Sequence, residues 1–588
     1  METEELETAK RLMDEAKTQK DAARYAEADT LYLQALQIRE TIHGAEHPDM
    51  AQTQCDLARI YVIQDRYDDA EALHSKALTT RESVCGPEHP DTAQSLNYFA
   101  GVYRRREKYE TADLMHFRAI AIAEKTRGPE HPDTAEYLND YAVSLVHQAD
   151  YALAETLFLR SLAIREKTFG PETYEITESL NNLAYIYGKQ GRYAEAEPLY
   201  LRSLAVREKV FGPQHPHTAT ALNNLATLYS KQGRYAEVEA LFLRAQAINE
   251  AVFGAEHDAT ARGLNNLGDF YIKQGKFAQA ETFFRQAYAI YEKVLGPENN
   301  YIALSLNNIA MACEKQAKYE EAETLYLRAQ AIREKTMGAE HPEIALGLNN
   351  MASFYQKQGK YSRAERQFKQ ALAIWEKIYG TEHPQTALCL NNLAHLYDAE
   401  NRLDKAEPLF QQALAIQEKL LGPEHPNVAT SAGNLASIYG RQGDHSEAEA
   451  LHLRALAIRQ KVLGPAHPDT AISLNNLGFL YQEQKRYADA EPLFRQALSS
   501  MEKSLGPEHP SVAIAATNIA QLNMYQKNYG EAEPLFQRAI AINEKHFKPS
   551  HPAVMQSYIN YARFLGKKGN FVGAIKIVMR LITMKSAN

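Results

Sequence analysis

Cysteine and tryptophan are nearly missing from this sequence: four cysteines and one tryptophan in 588 residues. Cys55, Cys85, Cys313 and Cys389 show no CxxC spacing, so the sequence encodes neither a disulfide framework nor a thiolate metal site. No stretch approaches the ~18 consecutive apolar residues of a membrane span. The opening METEELETAKRL is acidic and lacks an apolar core, unlike a signal peptide. A net charge of −9 is mild for this length and provides no broad basic field for nucleic acid. The run Arg104-Arg105-Arg106 is too short to change that. A phosphate-cradling GxxxxGK[ST], a GxSxG elbow and an HExxH pair are all absent. The expectation is a cytoplasmic, non-enzymatic protein with no cofactor, no metal, no nucleic-acid partner and no membrane insertion.

What the chain has instead is a repeat of 42 residues. Glycine marks it at Gly44, Gly86, Gly128, Gly170, Gly212, Gly254, Gly296, Gly338, Gly380, Gly422, Gly464 and Gly506, with Lys548 in the thirteenth slot. Fourteen such periods fill the chain, and self-similarity of this length signals a stacked solenoid. The expected organisation is one continuous array: a capping unit at 1–44, twelve regular units at 45–548, and an apolar last unit at 549–588.

One unit shows what is being stacked. Leu180, Leu183, Ala184 and Tyr187 recur at helical spacing, forming a single stripe. Lys189-Gln190-Gly191-Arg192 breaks the pattern, and Tyr193, Ala196, Tyr200, Ser203 and Leu204 form a second stripe. Each unit is therefore two antiparallel amphipathic helices, A and B. Gly212 is expected at a left-handed C′ position, and Gly-Pro-x-His-Pro then stops the helix. Thr or Asp just after, as at 467–470, is expected to cap the next helix A. Small residues recur where helices must touch. The slot of Ala184 is Ala or Gly in all fourteen units, and the slot of Ala196 is Ala in all but Val238. The slot of Tyr193 is aromatic in all but Leu403 and His445.

This pattern resembles the tetratricopeptide (TPR) repeat. With Leu-Asn-Asn-Leu-Ala, Gly-Pro-Glu-His-Pro and eight residues beyond the usual 34, it resembles the kinesin light chain type of TPR. The resemblance covers essentially the whole chain. It implies an all-α, right-handed superhelical solenoid whose A helices line a concave groove. The heptad region that joins kinesin light chains to their motor has no counterpart ahead of the first unit, so the expectation is the repeat type and not the motor subunit.

Geometry on helix A then nominates a binding face. Asn182 and Lys189 lie opposite the apolar stripe, and Asn181 lies on its flank. Amides both donate and accept, so a ladder of them can satisfy the backbone of an extended peptide. The resemblance implies such a use, since kinesin light chains are thought to hold cargo peptides this way. The other reading is that these amides bond to a neighbouring unit. Five consecutive units add a lysine row, which favours an acidic segment. The candidate peptide-binding set is Asn181, Asn182, Lys189, Asn223, Asn224, Lys231, Asn265, Asn266, Lys273, Asn307, Asn308, Lys315, Asn349, Asn350 and Lys357. Leu304, Leu346 and Leu388 either form apolar pockets beside this set or pack under the preceding loop.

Eleven loop histidines, from His47 to His551, invite a metal reading. Each stands alone in its unit, whereas a metal needs three or four convergent ligands, so a loop-stabilising hydrogen bond is expected. Thr173-Tyr174, Asp258 and Asn299-Asn300 break the His-Pro rule, marking either a different surface or drift. Glu166-Lys167 and Glu334-Lys335 form a solvated ridge. The last helix, from Phe571 to Ile582, is unusually apolar for an end unit and is expected to contact something, self-association included. The leading expectation is a protein–protein interaction scaffold that binds extended acidic peptides in its groove. The alternative is a regulatory array that docks whole domains through its convex face or its C-terminal helix.

Overall fold

The computed structural model describes residues 2–44 and 46–586. Twenty-eight helices run from α1 (Glu2–Asp21) to α28 (Phe571–Ser586), and no strand occurs among the described residues. Odd-numbered helices are the A helices and even-numbered ones the B helices. The result is a right-handed superhelical α-solenoid of two-helix units, as the periodicity predicts.

In the unit built from α9 (Ile176–Lys189) and α10 (Tyr193–Phe211), Leu180, Leu183, Ala184, Ala196 and Tyr200 are buried. The alanines let the two helix axes approach, and each large apolar side chain buried here contributes roughly 1.5–3 kcal/mol. A polar lock joins neighbouring units. Tyr229 donates to Glu197 at 3.1 Å, and Arg234 donates to the same carboxylate at 2.8 Å. The Arg234 guanidinium lies 3.6 Å from the Tyr229 ring centre, stacking on its face. The slot of Glu197 is Glu or Asp in every unit except the last, where it is Ile575. The Glu-Lys ridge is also bonded: Lys377 reaches Glu340 at 2.6 Å and Lys167 pairs with Glu130, tying the end of helix B to the loop that opens its own unit. These pairs are exposed, so each contributes little.

The loop differs from expectation in two ways. The helix A cap is histidine, not Thr or Asp. His467 Nδ1 accepts the Asp469 amide at 3.0 Å with Pro468 at the first helical position, while Thr470 Oγ1 donates to the Gly464 carbonyl at 2.8 Å. The residue following helix B has a positive φ but is not left-handed helical. Gly212 has φ 91° and ψ 165°, a region open essentially to glycine alone.

The loop histidine has a second partner 236 residues away. In each unit from the seventh to the fourteenth, the loop before helix A sits on the end of a helix A six units earlier. His257 Nε2 approaches the Asp21 carbonyl of α1 at 3.1 Å, and His383 approaches the His147 carbonyl at 3.3 Å. His425 meets the Lys189 carbonyl at 2.9 Å and His467 the Lys231 carbonyl at 3.2 Å. His509 and His551 reach the carbonyls of Lys273 and Lys315 at 3.1 and 3.2 Å. One superhelical turn is therefore about six units, and successive turns touch. Asn299-Asn300, which breaks the His-Pro rule, makes its own version of the seam: Asn299 reaches the Ile63 carbonyl at 3.5 Å and the Asn300 amide donates to Asp65 at 2.9 Å. Where His341 Nε2 lacks a hydrogen bond, the Tyr379 hydroxyl donates to Glu107 at 3.3 Å instead. The seam is tight at the A–B turns. A Cβ on Gly233, whose φ is +71°, would lie 2.8 Å from the His467 ring.

These histidines must be neutral, because Nδ1 accepts a hydrogen bond while Nε2 donates one. Burial holds His383, His425 and His509 down to about 4, against an ordinary value near 6.5. Above about pH 6.5 they are neutral whether the seam is closed or open. As pH falls towards 4, the released imidazole binds a proton and the seated one does not, so acid favours release. We expect the maximum dimension measured by X-ray scattering to grow between pH 7 and 4.5, while far-UV circular dichroism changes little. His383→Ala/His425→Ala/His467→Ala/His509→Ala should lengthen the particle at pH 7. Unchanged scattering in both cases would mean that the seam does not set the pitch.

Candidate peptide-binding surface on the inner wall

Closure of the turns converts the expected groove into a lumen lined by the A helices. Three helix-A slots face it: those of Glu178, Tyr185 and Lys189. All three residues are exposed, although the rest of α9 is largely buried.

The amide ladder is partly occupied by itself. Asn181, Asn265, Asn307 and Asn349 are buried, and Asn223 is half-buried. Asn182, Asn224, Asn266, Asn308 and Asn350 are half-buried. Asn182 donates to Asn139 of the preceding unit at 3.0 Å, Asn266 to Asn223 at 3.4 Å and Asn350 to Asn307 at 3.2 Å. Asn392 and Asn518 repeat the bond, to Asn349 at 3.0 Å and to Asn475 at 3.3 Å. The alternative of a neighbouring-unit bond thus holds for these five. The ladder is interrupted at Asn224 and Asn308, which have no side-chain partner among the described residues, while the Oδ1 atoms of Asn181 and Asn265 opposite them are buried and unsatisfied.

The lysine row runs along the seam. Lys189 lies over the Tyr185 ring, 5.2 Å from its centre. Lys273 donates to Ser230 at 2.8 Å, and Lys231 reaches towards the Gly188 carbonyl at 3.5 Å. Lys357 is neutralised by the buried Glu314 at 2.6 Å. Among the described residues, no carboxylate forms an ion pair with Lys189, Lys231, Lys273 or Lys315. The surrounding walls displace water from Lys231, and the charges of Lys189 and Lys273 add to the effect. Together they pull its ammonium down to about 8. Lys273 and Lys315 are also lowered, first by burial.

Other parts of the wall differ. Leu304 and Leu388 are exposed and Leu346 is half-buried, so the first two open onto the lumen. Ile472 and Ile514 extend the same slot. A cavity of about 320 Å³ gathers Lys189, Leu388, Asn392, His395 and Asn434. In the first turn a cavity of about 880 Å³ is lined by Arg59, Tyr98, Arg104, Glu136, Asp140 and Arg165 among others. Burial, and then the charge of Asp140, push Glu136 up to about 7. Sequence reasoning missed this charged chamber because its members are scattered over five units, from Lys20 to Arg207. Arg104, dismissed there as part of a short basic run, is one of its walls.

Histidine is less isolated than its spacing implied. His43, His47 and Asp49 place ligand-type atoms within 4.8 Å of one another, as do Cys85, His89 and Asp91, and Glu281, Cys313 and Glu321. In the last set, Lys318 and Arg285 already neutralise Glu281.

The sequence model of the tetratricopeptide repeat matches residues 16–83, 49–125, 115–167, 175–251, 231–293, 258–335, 343–419, 401–461, 427–503, 469–545 and 511–587. No curated protein matches the chain. Among solved structures, the chain is similar to a Podosopora anserina protein of nearly identical TPR-like repeats, described as a candidate kinesin light chain. Identity is 31% over 35% of this chain and 98% of that one, with a TM-score of 0.30. A single-substitution variant of that protein gives 30% identity over 35% and 97%, with a TM-score of 0.31. BtubC (BKLC) from P. vanneervenii is 23% identical over 42% of this chain and 92% of that one, with a TM-score of 0.31.

A lysine whose ammonium titrates near 8 is partly the free, nucleophilic amine at a pH where ordinary lysines, titrating near ~10.4, are protonated. At pH 8 an acylating reagent should modify Lys231 on the order of tenfold faster than the exposed, ion-paired Lys209. Peptide mapping after limited acetylation checks this, and equal rates would place Lys231 in ordinary solvent.

Proposed function

The chain belongs to the tetratricopeptide repeat family, in its kinesin light chain-like form, and we propose that its lumen holds an extended, acidic peptide segment along Lys189, Lys231, Lys273 and Lys315. Arrays of this family are generally protein–protein interaction scaffolds and typically non-enzymatic. The observation that carries the finer reading is the row of lysines without carboxylate partners in a chain whose net charge is negative. The Glu–Lys ridge and the Glu–Arg lock, by contrast, are paired within the chain. Lys189 and Lys273 instead weigh on Lys231 between them, while Asp269 and Asp469 partly offset Lys273 and Glu314 partly offsets Lys315; the repulsion at Lys231 is relieved when anionic side chains arrive. The open amides of Asn224 and Asn308, beside the unsatisfied oxygens of Asn181 and Asn265, offer donors and acceptors to a peptide backbone. Leu388 and its neighbours supply an apolar wall next to the row.

The reading predicts a ligand with Asp or Glu at several positions and an apolar anchor towards one end. Binding should weaken with salt, because screening acts on exposed charges over about 8 Å at physiological ionic strength. An acidic peptide library presented to the full chain tests it. Lys189→Ala/Lys231→Ala/Lys273→Ala should lower the affinity of a selected peptide by roughly tenfold or more, with far-UV circular dichroism unchanged. Undiminished affinity would remove the lysine row from the site.

A second surface supports docking of a folded partner. Leu114 and Phe117 stand 73% and 69% exposed on α6 (Tyr109–Thr126), and Leu159, Leu201 and Leu243 continue the Phe117 slot along the convex side. Contiguous apolar exposure of this kind marks interaction sites. Phe117→Glu/Leu159→Glu should release a partner held there and leave acidic-peptide binding intact. No helix among the described residues is long and apolar enough to cross a membrane.

A further inference from the structure

The turn-to-turn seam is built from two complementary edges, and each end of the array carries one edge with nothing against it. The donor edge consists of the loop histidines. From the seventh unit onward their Nε2 atoms are taken, except at His341. In the first turn, His47, His89, His131 and His215 cap their own helices through Nδ1. Their Nε2 atoms have no partner among the described residues. Their side chains are correspondingly open: His47 and His89 are 39% and 43% exposed, against 9% and 6% for the seated His257 and His467. The acceptor edge consists of helix-A ends. Those of units one to eight lie under the next turn, while those of units nine to fourteen form a full turn facing outward at the other end.

The lateral ends also complement each other. On α28, Phe571, Val572, Ile575, Val578 and Met579 are 47–69% exposed, and the helix carries Lys576 and Arg580 but no carboxylate. Within the array such a helix B is covered by the next helix A: Val554 and Tyr558 of α27 (Pro552–Lys568) pack on Ile540 of α26 (Tyr529–His546). The same slots in α1 are Thr8 and Leu12, both half-buried with no helix before them, and the acidic Glu4, Glu5 and Glu15 flank them together with the basic Lys10 and Arg11. The lock residues change together at the two ends. Ile575 stands where the thirteen other units have a carboxylate, and Gln19 stands where Tyr229 and its equivalents donate to it. The end joint is thus apolar rather than locked.

We propose that the chain associates head to tail with further copies of itself, the first turn of one copy seating on the last turn of another. Continuing the six-unit register sets α1 of the incoming copy against α28. His47, His89, His131 and His215 then fall over the ends of α19 (Pro384–Ala399), α21 (Pro426–Gln442), α23 (Pro468–Glu483) and α27. Each Nε2 donates to a helix-end carbonyl, as six histidines already do within the chain. The contact is heterologous and does not close on itself, so the product is an open superhelical filament whose length depends on concentration.

Light scattering on the eluting full chain tests this. The wild-type mass should rise above the 66.2 kDa of one chain as concentration increases. A tail variant, Ile575→Glu/Met579→Glu, and a head variant, Glu4→Lys/Glu5→Lys/Glu15→Lys, should each remain at one chain mass. Mixed together, they should form a dimer and stop, because each retains one intact edge. His47→Ala/His89→Ala/His131→Ala should weaken assembly as a second head variant. Comparable far-UV circular dichroism identifies variants that remain folded. A wild type that stays monomeric at all concentrations overturns the proposal. So does a head variant that still dimerises alone, since that would be a tail-to-tail contact through α28.

Discussion

Everything in this molecule's shape rests on an imidazole used at both nitrogens. Nδ1 accepts the amide two residues on and starts helix A; Nε2 donates to the end of a helix A one superhelical turn away. Only one neutral tautomer can do both. Each such bond contributes about 0.5–1.5 kcal/mol, whereas the lateral joint between units buries several large side chains at roughly 1.5–3 kcal/mol each. The lateral joints therefore hold the array together, and the seam sets how tightly it coils. Such an array can lengthen like a spring without losing a helix. That property separates its conformational changes from its unfolding.

The same inequality explains what the sequence disclosed. Helices, turns and the lateral core are governed by residues within 42 positions of one another, and the period displays them fourteen times. Ala184 and Ala196 could be assigned to helix contacts before any coordinate was known. The seam spans 236 residues, which is not a multiple of the period, so no local pattern announces it. Asn299-Asn300 read either as a different surface or as drift, because its reason, Asp65, lies about five and a half units upstream. The amides failed differently. A helical wheel places Asn182 away from its own core but carries no information about Asn139 on the neighbouring helix, which takes its hydrogen bond. The glycine after helix B was legible as a residue that only glycine can be, yet its ψ of 165° at Gly212 follows from the path of the loop and not from the helix end.

The lumen is graded along its length. The first turn is a mixed-charge chamber around Arg59, Arg104 and Glu136, the middle carries unpaired lysines, and the later units present Leu388, Ile472 and Ile514. One constant frame therefore displays three chemistries in succession, which suits partners whose sequence changes character along an extended stretch.

Fourteen units in one chain also allow constraint to be separated from freedom without any other sequence. Where packing, the lock or the seam requires a residue, the units nearly agree: Ala at the helix contact except Val238, Glu or Asp at the lock except Ile575, His at the seam except Asn299. Where the structure requires nothing, they diverge. The lumen slot of Tyr185 holds Thr227, Asp269, Met311, Ser353, His395, Ser437 and Phe479 in the units that follow. Neutral drift would scatter such residues without order, and at this slot it is a sufficient account. It does not account for Lys189, Lys231, Lys273, Lys315 and Lys357. Five neighbouring lysines sit in a slot where the frame tolerates Ala399, and the charges of Lys189 and Lys273 weigh on Lys231 between them.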